Sequence, residues 1–299
     1  MAGNNVRDHK YHAEATAIRG TLERPYPALI EPQAHAKVRP VGGYESQHGE
    51  PFRIEEVVSY SAARTQAAGH QESEKKGKVF KTLATAVVED LNILNVITCD
   101  RVVGQISTEH PLNEEEGHVP KVTFLGSQFF NLRIAGYPVE VEVDLDLFDP
   151  TLHSAKTQYT KNQGFLDRVA ARLGIFRPGK ETDEAKASPV IEVPTFLKER
   201  YGNDPRDKNG AESTIVKSIS TKGPFAPIGH VFDIPNFGQI HLGVLRIEHS
   251  DHELDIPRTT LFDISMFEIH MGCIGSGQLN AACMISNGGS GPPKPGGTV

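Results

Sequence analysis

The stretch TLATAVVEDLNILNVITCDRVVGQIST, residues 82–108, decides the fold. Its apolar side chains recur mostly at every second position, for example at Ala84 and Val88, and it is rich in Val, Ile and Thr. This period of two predicts strands that bury one face, and β-branched residues favour the same structure. Because a typical strand has about 5–6 residues, we expect either two strands here or one long strand that bends near Asp90 or Asn95.

A second alternating segment follows a predicted turn at residues 136–138. Its apolar residues, which we expect to face the core, are Val139, Val141, Val143, Leu145 and Leu147. The positions between them carry acidic residues, which we expect to face solvent because an antiparallel sheet often has one wet face. Asp144, Asp146 and Asp149 also place oxygens near the end of this strand, where either a Ca²⁺ site or a solvated strand face is predicted.

One segment of the chain has the periodicity of a helix. In GFLDRVAARLG, residues 164–174, the apolar residues share one stripe and the charged residues lie opposite. A shorter helix is predicted at residues 194–201, because Pro194 suits a helix start. The sequence around both predicted helices is polar and interrupted by Pro and Gly, which is typical of loops.

These patterns predict a mainly β protein, an antiparallel β-sandwich or barrel with a small helical insertion. The predicted segments are an N-terminal strand and extended arm (1–50), a first β block (51–149), a loop and helix insertion (150–229), a second β block that completes the same domain (230–287) and a Gly/Pro tail (288–299).

The composition and net charge of the chain reduce the number of function classes to consider. The formal net charge is −7, whereas nucleic acid binding requires a basic patch, so we expect no nucleic acid partner. No apolar stretch reaches the roughly 18 residues that a membrane span requires. Three cysteines are too few for a disulfide framework, and we expect them to be buried free thiols. The N-terminal segment lacks the apolar core of a signal peptide, so we expect a cytoplasmic location, with leaderless export left open.

Several segments together resemble a known family. They include the pattern T-A-x-V-x-x-L-x-(I/L)-L and a strand ending in L-x-I-x-G-x-P-V, and the matching residues are 13–22, 84–103, 132–139, 238–242 and 267–285. The pattern resembles the choice-of-anchor P proteins, which are extracellular bacterial β proteins with varied C-terminal anchors. The resemblance implies a mainly β fold and supplies no catalytic residues. The insertion and the lack of a sorting motif depart from that family, so we do not carry over secretion or wall attachment.

The best chemical candidates are four histidines in or beside the late predicted strands, namely His241, His249, His252 and His270. Histidine is the commonest metal ligand, and adjacent strands can direct several rings at one ion. An acidic residue such as Glu248 or Glu268 could complete the site. No H-x-H or H-E-x-x-H spacing occurs, so a divalent metal site is the alternative to surface or buried structural histidines.

Two function classes follow. The first is a non-enzymatic structural protein that associates with itself as a homo-oligomer, since nucleophile motifs are absent and the N-terminal arm has few core residues. The side chains that we expect to anchor such an arm on a second copy are Tyr26, Leu29, Ile30, Val38, Val41, Tyr44 and Phe52. The second class is a β-barrel enzyme, or a small-ligand or metal binder, that uses the histidine-rich strands. We favour the first class, with no enzymatic activity and no cofactor.

Overall fold

The computed structural model describes residues 9–24, 26–74, 77–111, 119–149, 159–172, 194–201, 210–250, 259–272 and 276–287. The strands of the first part of the chain are β1 (Ala13–Arg24), β2 (Ala28–Gln33), β3 (Ala36–Lys37), β4 (Gly43–Gly49), β5 (Phe52–Ile54), β6 (Val58–Tyr60), β7 (Ala62–Glu74), β8 (Gly77–Ile93), β9 (Ile97–Pro111), β10 (Lys121–Thr123), β11 (Gln128–Phe130), β12 (Arg133–Ile134) and β13 (Tyr137–Val143). The remaining elements are α1 (Gln163–Arg172), α2 (Thr195–Tyr201), β14 (Gly210–Thr214), β15 (Val216–Thr221), β16 (Val231–Ile234), β17 (Gly238–Ser250), β18 (Thr259–Gly272) and β19 (Ser276–Asn287).

The strands form two sheets. Sheet one has the order β14-β17-β18-β19-β1-β2, with β16 beside β17 and β3 beside β1. Sheet two has the order β15-β13-β12-β9-β8-β6-β5, with β10 and β11 beside β9, and with β7 between β8 and β4. Neighbouring strands are antiparallel, and β1 and β19 pack over β7, β8 and β9 across one hydrophobic core. The prediction of a mainly β, antiparallel fold is confirmed, and the architecture is a sandwich.

The deciding stretch forms the long hairpin of β8 and β9. The turn lies at Leu94 and Asn95, whose φ angles are 52° and 55°, and Asp90 has φ 52° where the pairing skips a residue. Both predicted bend positions are therefore used, Asn95 for the turn and Asp90 for an irregularity within β8. Ala84 and Val88 are fully buried, as the alternation predicts.

In the second alternating segment, two positions were predicted on the wrong face. Leu145 is 48% exposed, whereas Asp144 is 5% exposed and forms an ion pair with Arg172 of α1. The pairing of β13 with β15 also shifts here, because β15 has an extra residue between the Glu142–Ser218 and Val143–Val216 pairs. β13 also ends at Val143, so the alternation does not continue through Leu145. The Asp144 carboxylate is therefore not on the predicted solvated strand face.

Sheet one contains a kink that decides which residues meet on its outer face. In β17 the core residues have even numbers up to Leu242 and odd numbers from Leu245 onward, and Gly243 between them has φ 58°. Period two would place His241 and Arg246 on opposite faces. Because of the kink, both side chains lie on the outer face of sheet one, away from the sandwich core.

Both predicted helices are confirmed, as α1 and α2. The strands β14 and β15 lie within the predicted insertion 150–229 and pair with the two sheets, so sandwich strands begin before residue 230. The predicted arm contributes the strands β2, β3 and β4, which pair with β1 and β7. Cys99 and Cys283 are buried free thiols as expected, and Cys273 lies outside the described residues. None of the described helices is long and apolar enough to cross a membrane.

Candidate functional site

A buried polar cluster joins α2 to the outer face of sheet one. Leu197 and Tyr201 of α2 pack against Val231 of β16, apart from the main core. This packing places Arg200 and Tyr201 of α2 beside the polar residues of β14, β17 and β18. We call the group the histidine cluster; its members are Arg200, Tyr201, Glu212, His230, His241, Arg246, Glu268 and His270.

The four charged side chains of the cluster pair with one another. Arg200 Nη2 lies 2.6 Å from Glu212 Oε1, and Arg200 Nη1 lies 2.8 Å from Glu268 Oε1. Arg246 Nη2 lies 3.1 Å from Glu212 Oε1 and also pairs with Glu268 Oε2. Two guanidinium groups and two carboxylates therefore balance in charge, which is what a buried ionic group requires to be stable.

A tyrosine links two of the histidines inside the cluster. The Tyr201 hydroxyl lies 3.1 Å from His230 Nε2 and 3.0 Å from His241 Nδ1. Tyr201, His230 and His241 are only 3%, 1% and 0% exposed. The third ring belongs to His270, whose Nε2 donates to Glu268 Oε1 at 2.8 Å.

Burial and the neighbouring charges set the protonation states. Burial lowers the pKa of His230 to about 3 and that of His241 to about 2, and the Arg200 charge adds to both shifts. Burial alone would raise the pKa of Glu268, but the hydrogen bonds from His270 and Arg200 hold it well below its usual range. Burial also raises the pKa of Tyr201. At neutral pH the two buried rings are therefore neutral, and Glu268 is ionised.

The four histidines of the predicted metal site are only partly brought together. His241 and His270 belong to the cluster, with ring centroids 5.4 Å apart. His249 lies beyond the kink of β17, where its Nδ1 is 2.9 Å from Thr260 Oγ1. His252 falls outside the described residues. Among the residues that the structure describes, no group of three or more His, Cys, Asp or Glu is arranged to hold a metal ion.

Most members of the cluster were not anticipated from the sequence. Glu268 was named as a residue that could complete a histidine site, but Arg200, Tyr201 and His230 carried no local signal. The sequence pattern does not predict Arg246 as a neighbour of His241, because a period of two places these residues on opposite faces. The kink at Gly243 brings them to the same face. A positive φ at one glycine is not readable from alternation alone.

A second candidate site is the outer edge of β4. All seven residues of β4 pair with β7 in one unbroken register, from Gly43–Gly69 to Gly49–Ala63. Among the described strands, β4 has no partner on its other side. Its sequence, GYESQHG, contains neither Pro nor Lys, the residues that commonly protect an edge strand from pairing with another chain.

Four of the seven predicted anchors are well exposed. Tyr26, Leu29 and Tyr44 are each 65% exposed, and Val41 is 86% exposed. The other three anchors are less exposed. Ile30 and Val38 are buried, and Phe52 is half-buried with its ring stacked on Tyr60. Val41 lies just before β4 and Tyr44 lies within it. Exposed apolar side chains are therefore present at this strand.

Comparison with known proteins places the chain in one family. Residues 9–248 match the family described as "Domain of unknown function (DUF8256)", and the protein belongs to it. Searches of curated proteins and of solved structures found no match. The family match carries no information on the resemblance to choice-of-anchor P proteins, which stays a prediction.

Proposed function

We propose that this member of the family is a non-enzymatic structural β protein that associates with a second copy of itself through the edge of β4. The observation that carries the proposal is a seven-residue strand edge with no Pro, no Lys and no break in its register. Such an edge presents backbone N–H and C=O groups at the spacing of a β ladder, which another strand can complete.

The sequence of β4 suits antiparallel pairing with itself. A two-fold axis at Ser46 places Tyr44 opposite His48 of the second copy and Glu45 opposite Gln47 of the second copy. Neither pair brings like charges together, and the Glu–Gln pair can form a hydrogen bond. Since homo-oligomers with two-fold symmetry are the commonest assemblies, this isologous contact is the partner that we propose.

The internal pairing of the histidine cluster supports the non-enzymatic part of the proposal. Arg200, Arg246, Glu212 and Glu268 are engaged with one another, so their charges hold α2 on sheet one. The buried free thiols Cys99 and Cys283 suit a reducing, cytoplasmic compartment, which we include in the proposal. The net charge of −7 supports the expectation of a partner other than nucleic acid.

Analytical ultracentrifugation over a concentration series tests the association, with two proline variants as a matched pair. Neighbouring residues of a strand direct their N–H groups to opposite sides, so one of Ser46→Pro and Gln47→Pro removes an N–H at the open edge and the other removes an N–H that faces β7. We expect the wild type to dimerise, and one of the two variants to be a folded monomer. A wild-type protein that is monomeric at high micromolar concentration contradicts the proposal.

Ligand binding at the histidine cluster is a second candidate function. It is favoured by one specific observation: His230 Nδ1 and His241 Nε2 are both buried, and neither has a hydrogen-bond partner in the part of the chain that the structure describes. For the metal version of this candidate, elemental analysis of the purified protein decides. A stoichiometric divalent metal that is lost in a His241→Leu variant supports it, and a metal-free protein that stays folded opposes it.

A further inference from the structure

The chain of hydrogen bonds through Tyr201 ends in an open nitrogen on each side. His230 Nδ1 and His241 Nε2 are buried and have no hydrogen-bond partner among the described residues, although the other nitrogen of each ring bonds to the Tyr201 hydroxyl. A buried polar atom that is left unsatisfied costs about 1–3 kcal/mol. Two such atoms in one cluster therefore favour a partner that is not among the described residues.

The neighbours of His241 determine where its proton lies. Glu268 can only accept, so His270 Nε2 carries a hydrogen and donates it to that carboxylate. Arg200 has only donors, and its Nη1 lies 2.8 Å from Glu268 Oε1 and 3.5 Å from His241 Nδ1. Arg200 Nη1 also lies 3.3 Å from His270 Nε2, but that nitrogen carries a hydrogen and cannot accept. The second Nη1 hydrogen is therefore left for His241 Nδ1, which favours the tautomer with a bare Nδ1. In this tautomer His241 carries its hydrogen on Nε2.

The rest of the chain follows from that assignment. Tyr201 donates its O–H to His241 Nδ1, and its oxygen accepts from the Nε2–H of His230. His230 Nδ1 is then a bare acceptor, and His241 Nε2–H is a donor. The two open ends have opposite hydrogen-bonding characters, and a hydroxyl group can satisfy either one because it both donates and accepts.

The charges of the cluster restrict the guest to a neutral one. Arg200 and Arg246 are already matched by Glu212 and Glu268, and both buried imidazoles are neutral because burial lowers the pKa of His230 to about 3 and of His241 to about 2. A charged guest would leave an unpaired charge in a buried place, which is costly.

We propose that the histidine cluster is a binding site for neutral hydroxyl groups, one accepting from His241 Nε2–H and one donating to His230 Nδ1. The hydroxyl groups belong either to ordered water or to a small polyol, and the chemistry that recognises them is the same. This site is independent of the β4 edge, and its test is independent of the oligomeric state.

NMR of the wild-type protein with ¹⁵N-labelled histidine rings tests the assignment directly, with glycerol as the probe polyol. We expect His241 to be protonated on Nε2 and His230 to be bare on Nδ1, with cross-relaxation from the His241 Nε2 proton to the guest. A water signal that persists in glycerol identifies the guest as water, and its replacement by contacts to glycerol identifies a polyol. A His241 ring protonated on Nδ1, or a Nε2 proton without contact to either guest, overturns the proposal.

A variant pair separates a filled site from an empty one. In a Tyr201→Phe background, which removes the hydroxyl between the rings, neither nitrogen of His230 has a partner among the described residues, so His230→Leu tests whether a guest satisfies them. If guest hydroxyl groups satisfy both ring nitrogens, the substitution lowers Tm by about 2–10 °C, whereas removing unsatisfied nitrogens raises Tm. His249→Leu is the matched control, since it removes a buried histidine that bonds to Thr260 and leaves the cluster untouched.

Discussion

The two strands that the N-terminal segment adds at the edges of the sandwich, β2 and β4, differ in how they are protected. β2 contains Pro32, and its pairing with β1 shifts between Ile18 and Gly20. β4 contains no proline and pairs with β7 without a shift over its whole length. Proline and a shifted register both prevent a further strand from adding to an edge.

The comparison teaches that, among the described strands, the edge at β2 is protected and the edge at β4 is not. β2 also carries exposed apolar side chains nearby, since Leu29 is 65% exposed, so apolar exposure alone does not distinguish the two edges. What distinguishes them is the continuity of the backbone ladder. The predictions that follow test whether that continuity, and the register it sets, is used for association.

The largest expected effect comes from removing the support beneath β4. Ala67 of β7 pairs with Glu45 of β4 and is fully buried, facing the core. Ala67→Asp buries an unpaired carboxylate, which costs several kcal/mol, and we expect an insoluble protein or a Tm lowered by about 10 °C or more. Gln66→Asp, on the exposed face of the same strand, is the control and should leave Tm nearly unchanged. An Ala67→Asp variant with wild-type Tm would show that the inner face of β7 is assigned wrongly.

A smaller, register-specific effect is expected from charges on β4. Gln47→Glu places two Glu–Glu pairs across the proposed two-fold axis, and Gln47→Lys places two Glu–Lys pairs there. At about 0.2–1 kcal/mol for each cross-strand pair, the dimer dissociation constant should change by about 2- to 30-fold, upward for Glu and downward for Lys.

The control for this series exchanges the two side chains. The double variant Glu45→Gln with Gln47→Glu keeps the charge of the wild type and restores a Glu–Gln pair, so its dissociation constant should return to the wild-type value. Sedimentation equilibrium measures all four proteins. Equal constants for the Glu and Lys variants would rule out the proposed register, even if the protein dimerises.

The smallest expected effect is the pH dependence of stability that Glu14 contributes in sheet one, where β1 pairs with β3. Glu14 of β1 bonds to His12 at 2.9 Å and pairs with Lys37 of β3, and these contacts lower the pKa of Glu14 to about 2 from an ordinary value of 4.5. The contribution of Glu14 to stability is therefore present above pH 4.5 and is lost as the pH falls through about 2.

A comparison of acid unfolding in the wild type and in Glu14→Gln tests this contribution. We expect the wild type to be more stable than the variant at pH 7 and the difference to vanish near pH 2. The β4 edge should not respond to this substitution, so the dimer constant at pH 7 should be the same in both proteins. A stability difference that stays constant from pH 7 to pH 2 would contradict the assignment of the pKa shift to Glu14.

The long hairpin was readable from the sequence because its signal is local. Residues 82–108 alternate by themselves, and Asp90 and Asn95 are polar residues that adopt positive φ more readily than most. The faces of Asp144 and Leu145 could not be predicted, because β13 ends at Val143 and the chain turns at once, although the alternation of residue types continues past that point.

The candidate sites were less predictable for two different reasons. β4 has both faces largely open, so it carries no alternation of apolar and polar residues, and its segment was therefore interpreted as an arm. The histidine cluster depends on the kink at Gly243 and on the docking of Arg200 and Tyr201 from a separate helix. A sequence pattern identifies His241 and His270 as chemically interesting, but it does not show which distant residues meet them.

Hydrogen–deuterium exchange at several protein concentrations tests the central claim most directly, because it monitors both edges in one experiment. The account predicts that amide exchange within β4, residues Gly43–Gly49, becomes slower as the concentration rises through the dimer dissociation constant. Exchange within β2, residues Ala28–Gln33, should stay the same. Exchange in β4 that is independent of concentration, or protection that appears in β2 instead, would contradict association through the open edge.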